Sequence, residues 1–321
     1  MMHAIVAREA GGPDVLNLAE VDRPVPGPGQ LLVKVAAVGV NFIDTYKRSG
    51  AYKVAYPFTP GSEASGTVEE LGDGVTGFSV GDRVATAEGV NCYAGYALID
   101  EDKALPVPHG VDDFTAAALP LQGITAHYLI NSSFKVEPGH TVLLHAGAGG
   151  VGLLLIQLLK ARGARVITTV STDDKEQLAR EAGADHVLRY DGFAAEVREL
   201  TDGAGADVVY DGVGKDTFDG SLAALRIRGT LVLFGAASGP VPPFDPQRLN
   251  SGGSLYLTRP TIAHFLRDAR ERRWRSDELF AAVADGTLKV RIGARYDLAE
   301  AGRAHDDLEQ RRTTGKVLLV P

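Results

Sequence analysis

Apolar residues follow two different rhythms along the chain. From His3 to about Ile99 they come in short, β-branched runs: Ala4-Ile5-Val6, Leu31-Leu32-Val33-Lys34-Val35, Gly66-Thr67-Val68 and Arg83-Val84-Ala85. Turn-forming stretches such as Glu9 to Pro13, Pro24 to Gly29 and Gly72-Asp73-Gly74 separate them, which predicts a strand-rich region. After Pro120, strand-like runs at Thr141 to Leu144, Arg165 to Val170, Asp207 to Tyr210 and Thr230 to Phe234 alternate with helical patterns at Val151 to Ala161, Lys175 to Ala182 and Phe218 to Leu225. That alternation predicts an α/β architecture, a doubly wound parallel sheet covered by helices on both faces. Helical patterns return around Thr261 to Arg273, Ser276 to Ala284 and Leu298 to Gln310, before a last strand from Lys316 to Val320. A chain that leaves one body, builds a second and returns predicts a cleft between the two.

Composition narrows the class. At 321 residues, 45% hydrophobic and 23% charged, the chain has the balance of a folded globular protein of two domains. Its net charge of −8 repels phosphate backbones and anionic lipid headgroups, so neither nucleic acid nor a membrane surface is expected as a partner. The run Arg270-Glu271-Arg272-Arg273-Trp274-Arg275 could suggest an RNA-stacking patch, but at this charge it reads as a solvated helix face anchored by Trp274. The uncharged stretches 114–134 and 141–159 do not read as membrane spans. The first carries Pro120, Gln122, His127 and Asn131, and the second has Gly147, Gly149, Gly150 and Gly152 at its centre. The first residues lack a basic n-region and an apolar h-region, and Cys92 is the single cysteine. Together these predict a cytoplasmic protein with no internal disulfide and no zinc site built from several thiolates.

The strongest chemical signal is Gly147-x-Gly149-x-x-Gly152, set between a predicted strand and a predicted helix. Glycines there permit a tight turn and let backbone approach a pyrophosphate, and the helix that follows offers unpaired N–H groups and the positive end of its dipole. An acidic residue at the end of the second strand normally accepts bonds from the ribose hydroxyls, but Ser171 stands there, with Asp173 and Asp174 later and Lys175 after them. Lys175 therefore reads two ways, as the partner of a 2′-phosphate, which selects NADPH, or as an ordinary surface residue of a helix.

These residues resemble the medium-chain dehydrogenase/reductase superfamily, and within it the zinc-independent NADPH:quinone oxidoreductases related to zeta-crystallin. Gly61-Ser62-Glu63-Ala64-Ser65-Gly66, with Gly72 and Val75, is similar to the superfamily's G-H-E signature except that Ser62 replaces the histidine. The run from Gly139 through Gly149, Gly150, Gly152, Gln157 and Lys160 is similar to the quinone-oxidoreductase signature, and Asn41 to Tyr52 and Gly253 to Pro260 resemble two further subfamily motifs.

The resemblance implies a GroES-like β-rich catalytic domain from residues 1–121 and 261–321 and an inserted Rossmann domain over 122–260. It implies Lys175, Tyr190 and Arg311 around the 2′-phosphate, Gly150 and Val151 at the pyrophosphate, and Asn41, Thr125, Phe234 and Ala236 around the nicotinamide, with Ser171 and Arg259 also among the cofactor contacts. Ala236 lacks the polar side chain of some relatives, and Asp173 puts a negative charge beside the expected phosphate. Tyr46 and Tyr52 resemble the aromatics that line the substrate site, walls that can also donate a hydrogen bond to developing negative charge, and Asn41 is the candidate for fixing the nicotinamide carboxamide or the quinone oxygen; without the resemblance the tyrosines read as half-buried residues of a strand-to-helix turn. Asn41 and Ser62 occupy two positions where zinc relatives keep metal ligands, so no metal is expected. The implied activity is reduction of quinones by NADPH in a homodimer. The alternatives are an alkenal or enoyl double-bond reductase, and an NADPH-binding protein without turnover.

Overall fold

The computed structural model describes residues 1–321, which divide into two compact units: residues 1–124 with 267–321, and residues 125–266. The family resemblance implied joins at 121/122 and 260/261. The first join lies within a helix, Pro120–Tyr128, so no turn marks it in the sequence.

The chain opens with an antiparallel ribbon of β1 (Met2–Val6) and β2 (Asn17–Val21). The long strand β3 (Gln30–Val40) runs directly into the short helix α1 (Phe42–Arg48). Then come β4 (Ala64–Leu71), β5 (Arg83–Thr86), β6 (Tyr96–Asp100), β7 (Leu105–Pro106), α2 (Asp113–Ala118) and α3 (Pro120–Tyr128). The uncharged stretch 114–134 is thus broken into α2, α3 and a wide helical turn, and no helix is long and apolar enough to cross a membrane.

Residues 125–266 build the parallel sheet. Its elements are β8 (Thr141–Leu144), α4 (Gly150–Ala161), β9 (Arg165–Thr169), α5 (Asp173–Glu181), β10 (His186–Leu188), α6 (Phe193–Leu200), β11 (Ala206–Asp211), α7 (Phe218–Ala224), β12 (Leu225–Leu233), α8 (Gln247–Ser251) and β13 (Tyr256–Thr258). The order β10-β9-β8-β11-β12-β13, with every pair parallel, is the doubly wound Rossmann order 3-2-1-4-5-6. Central strands covered on both faces must be apolar throughout, and Val142, Leu143 and Leu144 of β8 are all fully buried. Leu143, Ile167, Val209 and Leu231 from four strands pack with Phe193 and Phe218 from two helices. The sequence pattern had not marked β10 and α6, because β10 has only three residues, two of them partly exposed.

The chain then returns through α9 (Ala269–Ala284), β14 (Ile292–Asp297), α10 (Ala301–Glu309) and β15 (Lys316–Val320). A seven-stranded sheet, ordered β14-β15-β3-β4-β5-β7 with β6 also on β3, joins the two chain ends. Ile5, Val38, Val40, Tyr93, Val317 and Leu319 form its core with α10. Two expectations are corrected here. One continuous helix, Ala269–Ala284, replaces the pair expected at 261–273 and 276–284, and it starts at Asp268, whose side chain caps it by accepting the Glu271 N–H at 2.9 Å. Its basic run is also divided between two faces: Arg270 and Arg273 are exposed as expected, but Trp274 is 41% exposed too, whereas Arg275 is fully buried and Arg272 nearly so. Arg272 pairs with Glu88 at 2.5 Å and Arg275 with Glu271 at 2.5 Å, so the arginines anchor the helix.

Candidate active site

The glycine loop sits where Rossmann sheets bind ligands, at the carboxyl end of β8 beside the point at which the strand order reverses. Ala146 takes a left-handed conformation, φ 57°, to turn the chain out of the strand. Gly147 then lies so close to β9 that a Cβ would collide with the Thr168 hydroxyl, and a Cβ on Gly152 would collide with the Ala146 carbonyl oxygen. Both glycines are therefore needed to press the loop against β9 and against the first turn of α4. Gly149 is the N-cap of α4, so the N–H groups of the first turn face out of the helix end without intrahelical partners. That backbone cradle fits a pyrophosphate.

The remaining expected cofactor residues of this unit line the same edge of the sheet. Ser171 and Lys175 follow β9, Tyr190 follows β10, Phe234 and Ala236 follow β12, and Arg259 follows β13; Thr125 lies buried on α3. The Lys175 ammonium is 3.4 Å from the Ser171 hydroxyl, and Thr172 caps α5 by accepting the Lys175 N–H. Asp173, the residue that opposed a phosphate site, is paired with Arg189 at 2.5 Å. Arg189 also reaches Glu176 at 2.9 Å, which makes it a second cation beside Lys175 that the sequence reading had not singled out. Arg311 belongs to the other unit, at the end of α10, where it holds φ 58°.

Beneath the loop lies a polar network that the sequence reading also missed. His145, buried, bonds Thr169 at 2.8 Å through Nδ1 and Ser221 at 2.9 Å through Nε2. The Ser221 hydroxyl donates to Asp211 at 2.7 Å, so its oxygen accepts from His145 Nε2–H, and Nδ1 accepts from Thr169. Asp211 also takes the N–H groups of Val213 and Gly214 and the Thr217 hydroxyl. Burial holds the imidazole neutral, with its pKa down to about 4. The network ties together the carboxyl ends of β8, β9 and β11, the frame on which the loop stands.

In the other unit, β3 ends at Asn41, the N-cap of α1, and α1 carries Tyr46. The Tyr46 and Tyr52 rings lie 5.6 Å apart and Phe42 lies 6.2 Å from Tyr46, so three aromatics form one wall, with Tyr52 47% exposed. Asn41 is held by an internal network. Its amide donates to the Gly39 carbonyl at 3.1 Å and to Glu63 at 2.8 Å, and its oxygen accepts from Lys316 at 2.7 Å. Lys316 and Glu63, both fully buried, pair at 2.5 Å, and Glu63 also accepts the Leu121 N–H at the start of α3. Both amide donors of Asn41 are therefore engaged inside the protein, and one lone pair on Oδ1 is left.

A second buried relay holds α1. Arg48 forks onto Glu309 with two bonds of 2.9 Å and donates to His305 Nδ1 at 3.3 Å. Arginine has no acceptor, so His305 Nε2–H must point at the Tyr93 oxygen, 2.9 Å away, and the Tyr93 hydroxyl at Asp44, 3.4 Å away. Burial raises the Asp44 carboxyl to about 6 and lowers His305 to about 3. One Asp44 oxygen, Oδ1, is buried without a partner.

Two family descriptions match the chain: an alcohol dehydrogenase GroES-like domain over residues 27–136 and a zinc-binding dehydrogenase over residues 150–280. With the Rossmann sheet and its glycine loop, they define a medium-chain dehydrogenase/reductase. The chain is 44% identical to a quinone oxidoreductase of Pseudomonas aeruginosa over 97% of each sequence. It is 41% identical to a 2-haloacrylate reductase of Burkholderia over 100% of this chain and 99% of that one. Among solved structures, mycobacterial Rv1454c complexed with NADPH is 54% identical, with a TM-score of 0.98 over all of both chains. The chain belongs to the quinone oxidoreductase family of the medium-chain dehydrogenase/reductases. The zinc in the second family description has no fitting donor set here. No three His, Cys, Asp or Glu side chains are grouped to hold a metal ion, Ser62 accepts from Lys47 at 3.2 Å, and Glu63 is neutralised by Lys316.

Proposed function

We propose that the protein is an NADPH-dependent quinone oxidoreductase that needs no metal. The observation that carries this reading is the sheet edge on which the glycine cradle, Ser171 in place of a ribose-binding acid, and the cation Lys175 lie together. When bound, NADPH supplies a hydride from its nicotinamide ring to the quinone. The chain's own part is to hold and orient. The first-turn N–H groups at Gly150 and Val151 take the pyrophosphate, and Lys175 and the Tyr190 hydroxyl take the 2′-phosphate. Thr125, Phe234, Ala236 and Arg259 frame the rest of the cofactor, with Ala236 offering only backbone.

The aromatic wall of Phe42, Tyr46 and Tyr52 presents flat apolar surface to a flat acceptor. A quinone becomes aromatic on reduction and water can protonate its oxygens, so positioning supplies most of the catalysis and no side-chain acid is indispensable. Asn41 can accept a carboxamide N–H through Oδ1, but its donors are not free to hold a quinone oxygen.

The test is cofactor oxidation by chelator-treated protein across a series of quinones. Turnover should survive metal removal, and NADPH should be preferred to NADH by about tenfold or more, the worth of one retained charge-assisted bond of about 1.5–3 kcal/mol. Loss of turnover to the chelator, or equal use of NADH, overturns the reading. Tyr46→Phe should keep most quinone turnover, and Tyr52→Ala should raise KM because the wall is shortened.

A second reading, reduction of an electron-poor carbon–carbon double bond, is favoured by the likeness to the 2-haloacrylate reductase. It requires a proton delivered to carbon. Tyr46→Phe that binds NADPH but no longer turns over would put it first.

The enzyme acts as a cytoplasmic homodimer in this proposal. Cys92, free and buried, suits a reducing compartment. The edge strand β13 leaves Tyr256 exposed, and Ile227 of the neighbouring strand β12 is exposed as well, apolar surface that a second copy would cover. Light scattering should give twice the chain mass; a monomer at micromolar concentration refutes this part.

A further inference from the structure

Arg189 stands out among the groups that the proposed reaction does not use. It follows β10 directly, and β10 lies beside β9, with the Val170 N–H bonded to the Leu188 carbonyl at 3.0 Å. Arg189 therefore flanks Ser171, the position after the second strand where a Rossmann fold meets the substituent on the adenosine ribose. Its guanidinium reaches across the first turn of α5 to Asp173 at 2.5 Å and Glu176 at 2.9 Å.

We propose that Arg189 is a specificity-determining residue for the 2′-phosphate, and that Asp173 is a built-in competitor for it: the guanidinium leaves Asp173 for the phosphate when NADPH binds. The inference rests on the NADPH reading above.

Three features make the exchange favourable. The pair is open to water, Asp173 being 99% and Arg189 40% exposed, so it is weakly held and readily broken. A phosphate near neutral pH carries more negative charge than one carboxylate and offers more acceptor oxygens, and it matches the fork of arginine. The departure also leaves nothing stranded: Glu176 keeps Arg180 at 2.7 Å, and Asp173 returns to water. With NADH no phosphate is present, Arg189 stays on its carboxylates, and its charge adds nothing to binding. Asp173 thus restrains NADPH affinity without abolishing it, through one negative charge and one occupied arginine.

The probes are 2′,5′-ADP and 5′-AMP, which differ only in the 2′-phosphate, titrated calorimetrically into the full chain without quinone. Wild-type protein should bind 2′,5′-ADP at least tenfold more tightly than 5′-AMP. If it does not, the NADPH reading fails before the inference is reached. Given that preference, Arg189→Ala should reduce it about tenfold while leaving 5′-AMP unchanged, and Asp173→Ala should raise it several-fold. In an Arg189→Ala background, Asp173→Ala should have a clearly smaller effect, because the competition has been removed. An unchanged preference in Arg189→Ala overturns the proposal, and so does an Asp173→Ala effect of equal size in both backgrounds, which would be simple charge repulsion. Circular dichroism of each variant checks that α5 is intact.

Discussion

Lys316 has no chemical signature in the sequence: it is one lysine at the start of a C-terminal strand. In the fold its ammonium is buried between Asn41 and Glu63, and it is the only cation bonded to a carboxylate that also caps α3. Breaking a buried pair from one side leaves the other charge uncompensated, which costs about 3–5 kcal/mol. Lys316→Met should lower stability by that order in urea unfolding, and Glu63→Gln with Lys316→Met should recover a large part of it. If the double variant is no more stable than the single one, the cluster is not acting as a pair. Glu63 depends in turn on Gly39, where a Cβ would collide with its carboxylate, so Gly39→Ala should disturb the same cluster.

At the scale of elements, the loop between β8 and α4 was legible because strand, glycines and helix are contiguous. The sequence could not show which glycine is held by backbone. A Cβ on Gly147 meets the Thr168 side chain, whereas one on Gly152 meets the Ala146 carbonyl, which cannot move without reshaping the turn. Gly152→Ala should therefore weaken NADPH binding by tenfold or more in a fluorescence titration, with a stability loss of about 1–3 kcal/mol from overpacking. Retained affinity would mean that the turn tolerates displacement. Helix α1 depends on partners distant in sequence: Asp44 is tied through Tyr93 and His305 to Arg48, and Arg48 bonds directly to Glu309, 261 positions beyond it. No periodicity in a seven-residue helix predicts that, and none predicts that Asn41 turns its amide inward. The basic run of α9 misled for the same reason, since local charge density does not say which arginines have buried acids waiting.

For the molecule as a whole, the buried titratable groups set the response to acid. His145 and His305 have pKa values lowered to about 4 and about 3, so each adds stability that is fully present above the unfolded value near 6.5 and is lost as pH falls toward the folded value. Asp44 acts in the opposite sense. Its folded value, about 6, lies above the unfolded 3.8, so its contribution is lost as pH rises through 6 and partly returns on acidification. These two buried histidines against this one buried carboxyl leave a net loss of roughly 2 kcal/mol between pH 7 and pH 5, at about 1.4 kcal/mol per proton per pH unit. Urea midpoints measured across that interval should fall, and His305→Gln should flatten the dependence. A rising midpoint would mean that Asp44 dominates.

The doubly wound sheet, the glycine loop and the strand-rich character of the N-terminal region follow from the sequence without knowledge of the fold. Those features are written locally, in alternation of apolar runs and in glycine spacing, where neighbours in the chain are neighbours in space. Only the folded chain pairs Asp173 with Arg189, locks Asn41 between Glu63 and Lys316, and makes His145 brace three strands. Each is a polar contact between residues far apart in the chain. Burial makes the internal ones obligatory, because a polar group removed from water must find its partner wherever the fold has placed it.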